Sequence, residues 1–371
     1  MRGLTCVVLV AALLLVISSS RAAEGPKTLE IGRPAPDFRL PGVDGKEYSL
    51  ADFAAAKLLV IVFTCNHCPT AQAYEERIKE LDADYRSKGV ALVAISPNDP
   101  LALRVDELGY TDVSDSLEEM KYRAQDHGFK FPYLYDGDKQ EVARAYGPMA
   151  TPHVFIFDQS RKLRYCGRID DSAKPEQVTS HDARNAIEAL LAGKQVPVEK
   201  TKTFGCSIKW SEKRAAVQES VERWKQEPVT LQTIDLKGLK ELVKNDSNKL
   251  RLINVWATWC GPCLAELPDF VTLHHQYRKR DFELVLVSAD TAQSENDALK
   301  TLQEKLASCR NLRFDGKEYD LVEAIDPKWE GPLPYTILVA PGGKVLYAKQ
   351  GENDMLKLRR AIVEFLGRVY K

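Results

Sequence analysis

Twice in this chain a short, largely apolar run ends on a Cys-x-x-Cys pair and gives way to helical spacing. Leu58 to Phe63 precedes Cys65-Asn66-His67-Cys68, and Leu250 to Trp256 precedes Trp259-Cys260-Gly261-Pro262-Cys263. Runs of that length bounded in that way read as strands buried on both faces, the kind found in sheets covered by helices. A cysteine pair at a strand-to-helix junction also carries a chemistry. The thiolate is the reactive form, and the free amides and dipole of a helix start hold it below the ~8.5 of free cysteine. On that geometry Cys260 is the attacking thiol and Cys263, one turn in, the resolving one. Cys65 and Cys68 are expected to divide the work in the same way.

The rest of the pattern alternates around those strands. After the Pro- and Gly-rich segment Lys27 to Asp44, the first half reads as helix Pro69 to Lys88, strand Val90 to Ser96, helices Ser116 to His127 and Gln140 to Tyr146, strand Val154 to Asp158 and helix His181 to Ala192. The second half repeats the plan, with helix Pro262 to Lys279, strand Phe282 to Ala289 and helix Glu295 to Leu306. A hairpin, Tyr335 to Ala340 and Lys344 to Lys349 about Pro341-Gly342-Gly343, precedes the final helix Met355 to Tyr370. This predicts an α/β chain of two tandem domains, 27–205 and 229–371, each a central mixed sheet flanked by helices. Residues 206–228 read as a charged helical connector, or as the last helix of the first domain.

Met1-Arg2-Gly3, the apolar run Leu4 to Ile17 and the small residues to Ala23 read as a secretory signal peptide over 1–23. The apolar part is shorter than the roughly 20 residues of a spanning helix, which favours a cleaved leader over an uncleaved membrane anchor. Export to a periplasmic or other extracytoplasmic compartment takes the chain out of the reducing cytosol. With Lys and Arg at 52 against Asp and Glu at 53, there is no basic field for nucleic acid. Cys6 lies inside the leader; beyond the two pairs, Cys166, Cys206 and Cys309 are single.

Trp256-Ala257-Thr258-Trp259-Cys260-Gly261-Pro262-Cys263 resembles the thioredoxin active-site motif, and Glu266 and Pro268 bring residues 229–371 closer to the exported TlpA/ResA-like branch. The resemblance implies that Glu266 handles protons near the thiols. It also implies that Pro334 is a cis-proline facing them, that Leu333 presents its backbone to a substrate chain, and that Trp259 flanks the same surface. The implied partners are thiol and disulfide proteins, with a membrane thiol-disulfide transporter as electron donor; no cofactor is implied. In the first half, Gly32 to Leu40 and Thr151-Pro152-His153-Val154-Phe155 resemble the redoxin branch (AhpC/TSA, peroxiredoxin-like), which implies a second cis-proline at Pro152 with Thr151 on the substrate side. The peroxidatic Pro-x-x-x-Thr-x-x-Cys is missing. Leu58 and Val62 stand at those positions before Cys65, and Ile61 and Cys65 before Cys68. Disulfide exchange is therefore favoured over peroxide reduction.

Between the cysteines, His67 reads either as a stabiliser of a Cys65 thiolate, making this pair the more oxidising one, or as a solvated first-turn residue. Two readings also stand for Cys166 and Cys206: a structural disulfide between them, or Cys206 as a mobile thiol relaying electrons to Cys65. A four-cysteine zinc site from the two pairs is disfavoured by their separation and by the strand before each, and His274-His275 and the other histidines are too scattered for a metal centre. The expected function is an exported thiol-disulfide oxidoreductase with a relay between its two pairs. The competitors are a thiol peroxidase recycled by the second domain and a non-catalytic binding module.

Overall fold

Each half grows from one strand whose side chains are buried on both faces. The structure is a computed structural model that describes residues 25–370; the leader expected over 1–23, with Cys6, lies outside them. In the first half a hairpin, β1 (Arg39–Pro41) and β2 (Glu47–Ser49), precedes β3 (Leu58–Phe63), α1 (Pro69–Tyr85) and β4 (Val90–Ser96). There follow α2 (Leu117–Asp126), β5 (Tyr133–Tyr135), α3 (Glu141–Tyr146), β6 (His153–Phe157), β7 (Leu163–Gly167) and α4 (Asp182–Leu191). The sheet order is β5-β4-β3-β6-β7. β3, β4 and β5 run parallel, and β6 and β7 run antiparallel. Because side chains alternate along a strand, Leu58, Val60 and Val62 pack against Ile78 and Leu81 of α1 and Ile187 of α4. Leu59, Ile61 and Phe63 pack on the other face with Phe53 and Tyr146. Each such side chain contributes roughly 1.5–3 kcal/mol by leaving water.

The charged stretch forms α5 (Arg214–Trp224). The second half contains β8 (Gln232–Ile234), α6 (Leu236–Lys244), β9 (Leu250–Trp256), α7 (Gly261–Tyr277), β10 (Phe282–Ser288) and α8 (Glu295–Glu304). It continues with β11 (Arg310–Phe314), α9 (Glu318–Ile325), β12 (Tyr335–Val339), β13 (Val345–Gln350) and α10 (Met355–Leu366). Its sheet order is β13-β12-β9-β10-β11-β8, with β12 antiparallel to both of its neighbours, β9 and β13. α1 is shorter than the expected helix because Arg86 to Lys88 tighten into a 3-10 turn that ends on Gly89 at φ 89°. α10 stops at Leu366 because Gly367, at φ 87°, leaves the helical region.

The halves repeat each other in register. Leu58 pairs with Val90 as Leu250 pairs with Phe282, and α1 and α7 are both 17 residues long, ending on Tyr85 and Tyr277. The C-terminal end of α7 docks on the first half. Gln276 donates to the carbonyls of Leu108 and Thr111 at 3.1 and 3.0 Å, and the Tyr277 hydroxyl donates to Thr111 O at 3.1 Å. Around these buried contacts run the ion pairs Lys279–Asp106, Arg359–Glu119, Arg360–Asp126 and Arg368–Asp112.

Candidate active sites

Cys260 is the N-cap of α7 and is joined to Cys263 by a disulfide; its sulfur accepts the Cys263 N–H at 3.3 Å. The preceding loop is pinned by Asp290, which accepts the Thr258 hydroxyl at 2.6 Å and the Ser288 hydroxyl at 2.8 Å. Held this way, Trp259 stands 70% exposed while Cys260 shows 6% of its surface. The Leu333–Pro334 peptide is cis. Beside Trp259 opens a cavity of about 500 Å3, with Asp290, Arg313, Phe314, Trp329 and Leu333 in its wall. Glu266, one turn beyond Cys263, is buried and accepts hydrogen bonds from the Asn353 backbone and side chain. Burial raises its pKa above the ordinary carboxylate range, outweighing those hydrogen bonds, with Glu352 and Asp269 adding to the effect.

The first site has the same scaffold with its sulfurs in different places. Phe63 faces His153, the residue after Pro152, as Val255 faces Tyr335, the residue after Pro334; the Thr151–Pro152 peptide is also cis. Counting on from those strand partners puts Cys68 at the place of Cys260, Ala71 at that of Cys263 and Cys65 at that of Ala257. Cys68 is accordingly the N-cap of α1 and receives the Ala71 N–H at 3.4 Å. The helix start expected at Cys65 is instead held by Cys68.

The electrostatics follow that placement. Burial works against a charge on Cys68, but hydrogen bonds from the Cys206 and Cys65 thiols and the Ala71 amide, with the charge of the His67 ring, outweigh it and hold its pKa well below the ordinary thiol value. Burial, the neighbouring Cys68 sulfur and Asp115 push Cys65 well above it. Thr151 touches all three sulfur-bearing residues. Its hydroxyl lies 3.1 Å from Cys65 Sγ, its carbonyl 3.4 Å from Cys68 Sγ, and its N–H donates to Cys206 O at 3.0 Å.

His67 is buried, not solvated, with Nδ1 2.5 Å from Asp115 Oδ2. Asp115 also accepts the backbone N–H groups of Asn66 and His67, at 2.8 and 3.0 Å, and the Asn98 amide at 2.7 Å. Burial disfavours the charged ring, but Asp115 outweighs it and raises the His67 pKa. Burial likewise disfavours the Asp115 carboxylate, but His67 and Asn98 hold its pKa below the usual range. At the position of exposed Trp259, this half therefore carries a buried ion pair.

Cys166 and Cys206 are both free thiols and are not joined. Cys166, on β7, lies in the core 3.2 Å from His153 Nε2, and burial pushes its pKa up to about 12. Cys206 packs instead against Cys65 and Cys68. The segment that carries Cys206 is tied on both sides: Thr201 N–H donates to Cys166 O, and Lys209 N–H donates to Asn98 Oδ1 at 2.9 Å. Among the described residues, two groups bring three metal-binding side chains together, Cys65–His67–Asp115 and Glu227–His274–His275. In the first, Asp115 is engaged as above; in the second, Glu227 is held by Arg278 at 2.6 Å and Ser308 at 2.7 Å, so neither reads as an ion site. Asp115, Asn98 and Asn353 are the site residues that the sequence pattern missed. The in-register repeat of the two halves was the available signal for placing Cys68.

A helix-capping cysteine opposite a cis-proline, on each of two mixed sheets, defines a thioredoxin-superfamily redox protein. Residues 31–166 and 201–348 match the AhpC/TSA family, and the chain belongs to it. It is 30% identical over 129 residues to the thiol-disulfide oxidoreductase ResA of Oceanobacillus iheyensis, covering 35% of this chain and 58% of that protein. It is 30% identical over 142 residues to ResA of Bacillus thuringiensis subsp. konkukian, covering 38% of this chain and 77% of the relative. Among solved structures, an uncharacterized conserved protein of Geobacillus kaustophilus is 40% identical over 51% of this chain and 96% of its own, with a TM-score of 0.44.

Proposed function

We propose that the chain is an exported thiol-disulfide oxidoreductase that exchanges electrons with cysteines of other proteins at two centres, Cys260/Cys263 and Cys65/Cys68. The observation that carries this reading is the repeated helix-capping cysteine beside a cis-proline loop, with the second copy open to a partner at Trp259 and Leu333. In the reducing direction the Cys260 thiolate attacks a target disulfide, and one target sulfur leaves and takes a proton. Cys263 then attacks Cys260 and releases the other, so two electrons pass to the target and the Cys260–Cys263 disulfide forms. Glu266, protonated more readily than an exposed carboxylate, exchanges that proton with the resolving thiol. The leader supports export, and a membrane thiol-disulfide transporter is the proposed donor.

Cys260 caps the end of α7 opposite to the docked Gln276 and Tyr277, a distance of about 24 Å at 1.5 Å per residue. That placement, remote from the docked end, supports transfer between molecules rather than within one. The experiment is reduction of insulin and of a mixed glutathione disulfide by the full chain. Cys260→Ser should abolish insulin reduction, and retention of the wild-type rate would overturn the reading. Stopped-flow peroxide consumption by the full chain with Cys260→Ser and Cys263→Ser tests the peroxidase competitor; it should stay near the rate of an ordinary thiol.

A further inference from the structure

The second site leaves the backbone at Leu333 outside any bridge among the described residues, whereas the equivalent edge of the first site is filled by the chain itself. Thr151 pairs antiparallel with Cys206 as an isolated bridge. The fit is a close one: a side-chain carbon on Gly205, which sits at φ 143°, would lie 2.1 Å from Thr151 O. Only glycine permits that approach. Phe204 packs on Tyr74 of α1, Ile208 is buried, and the Lys209 ammonium reaches Glu107 at 2.6 Å, so the segment is anchored on both sides of the sulfur it delivers. Asn98 ties it to the charged pair, accepting from Lys209 N–H and donating to Asp115. Of the three clustered thiols, Cys65 and Cys68 are 2% and 0% exposed, and only Cys206 is more than marginally open to solvent.

We propose that Cys206 is the third thiol of the first centre: it forms a disulfide with Cys68, alternative to Cys65–Cys68, and is the sulfur through which thiol partners reach the buried pair. This rests on the thiol-exchange reading above. Cys206, the thiol hydrogen-bonded to Cys68, attacks Cys68 Sγ of the Cys65–Cys68 disulfide as its proton passes to the departing Cys65, which leaves as a neutral thiol; the Cys68–Cys206 disulfide forms with no net electron transfer. A partner thiolate then attacks Cys206 Sγ, and Cys68 leaves into the site that stabilises its charge, the better leaving group being the thiol of lower pKa. The partner's second thiol attacks the mixed disulfide and frees Cys206. Two electrons have passed from the partner dithiol to Cys68 and Cys206.

The test is non-reducing peptide mapping of the full chain after treatment with oxidised glutathione. In Cys65→Ser, the Cys206 and Cys68 peptides should be recovered linked, two hydrogens lighter and without glutathione; with Cys206→Ser added, buried Cys68 should stay a free thiol over the same time. Gly205→Ala, which retains every thiol but crowds Thr151, should shift the wild-type mixture toward Cys65–Cys68. Cys65→Ser holding glutathione on Cys68 while Cys206 remains alkylatable would overturn the proposal and leave the exchange reading intact. Absence of any disulfide or adduct at Cys65, Cys68 or Cys206 would overturn both for this centre.

Discussion

At the residue scale, the first site is a thiolate cage around Cys68. Its charge is held by two thiols, an amide and the ring of His67, whose pKa Asp115 raises. Because the Cys68 pKa lies below that of an ordinary thiol, thiolate ultraviolet absorbance in the reduced chain should persist as pH falls below ~8.5 and disappear only through that lowered value. His67→Ala should move this midpoint upward, and an unmoved midpoint would remove His67 from the cage. The ion pair also links stability to pH. The raised His67 pKa gives stability that is complete below its unfolded value of about 6.5 and lost as pH rises through the folded one; the lowered Asp115 pKa gives stability present above about 3.9 and lost on acidification through its folded value. The pair is therefore worth most between roughly pH 4 and 6.5. Asp115→Asn should cost on the order of 3 kcal/mol there in urea melts of the reduced chain. Cys260 and Cys263 were legible because one local motif carries them, and Pro334 because it precedes a strand as the resembled family's cis-proline does. Asp115 and Asn98 were not, because they reach His67 from loops 48 and 31 residues away, which no spacing rule connects.

At the element scale, the two buried strands and the helices after them were readable from periodicity alone. β3 and β9 are apolar runs of the right length, and α1 and α7 begin at their capping cysteines. The short sheet-edge pieces were not. β8 is three residues, of which Gln232 and Thr233 are exposed, and β11 reads as charged because Arg310 and Arg313 stand in it, although Arg313 is buried against Glu295 at 2.7 Å. The register between the halves yields a test of its own. Since Ala71 occupies the place of Cys263, Ala71→Cys should supply a thiol one turn into α1 that pairs with Cys68, as Cys263 pairs with Cys260 across a Cα separation of 5.3 Å. Peptide mapping should find position 71 linked to Cys68, with Cys65 left free. A free thiol at position 71 under oxidising conditions would break the equivalence of Cys68 and Cys260.

At the scale of the whole molecule, the docking of the halves decides how electrons travel. The buried amide and hydroxyl of Gln276 and Tyr277 bind backbone carbonyls of the 108–111 loop, and ion pairs from Lys279, Arg359, Arg360 and Arg368 surround them. Undocking would strand those polar groups until water replaced their partners, so the closed arrangement predominates, with Cys260 about a helix length from the docked end of α7. Two chains of complementary defect separate the routes. One carries Cys260→Ser with Cys263→Ser and keeps only the first centre; the other carries Cys65→Ser with Cys68→Ser and keeps only the second. Mixed at equal concentration, they should exchange electrons with a second-order rate constant within about twofold of that of the intact chain, and the intact chain's rate should double when its concentration doubles. A concentration-independent rate in the intact chain, together with slow exchange in the mixture, would mean that the halves separate and meet sulfur to sulfur within one molecule. In that case Arg368→Ala, which removes the closest cation from buried Asp112, should accelerate the transfer; under exchange between molecules it should leave the rate unchanged while lowering stability by about 1.5–3 kcal/mol.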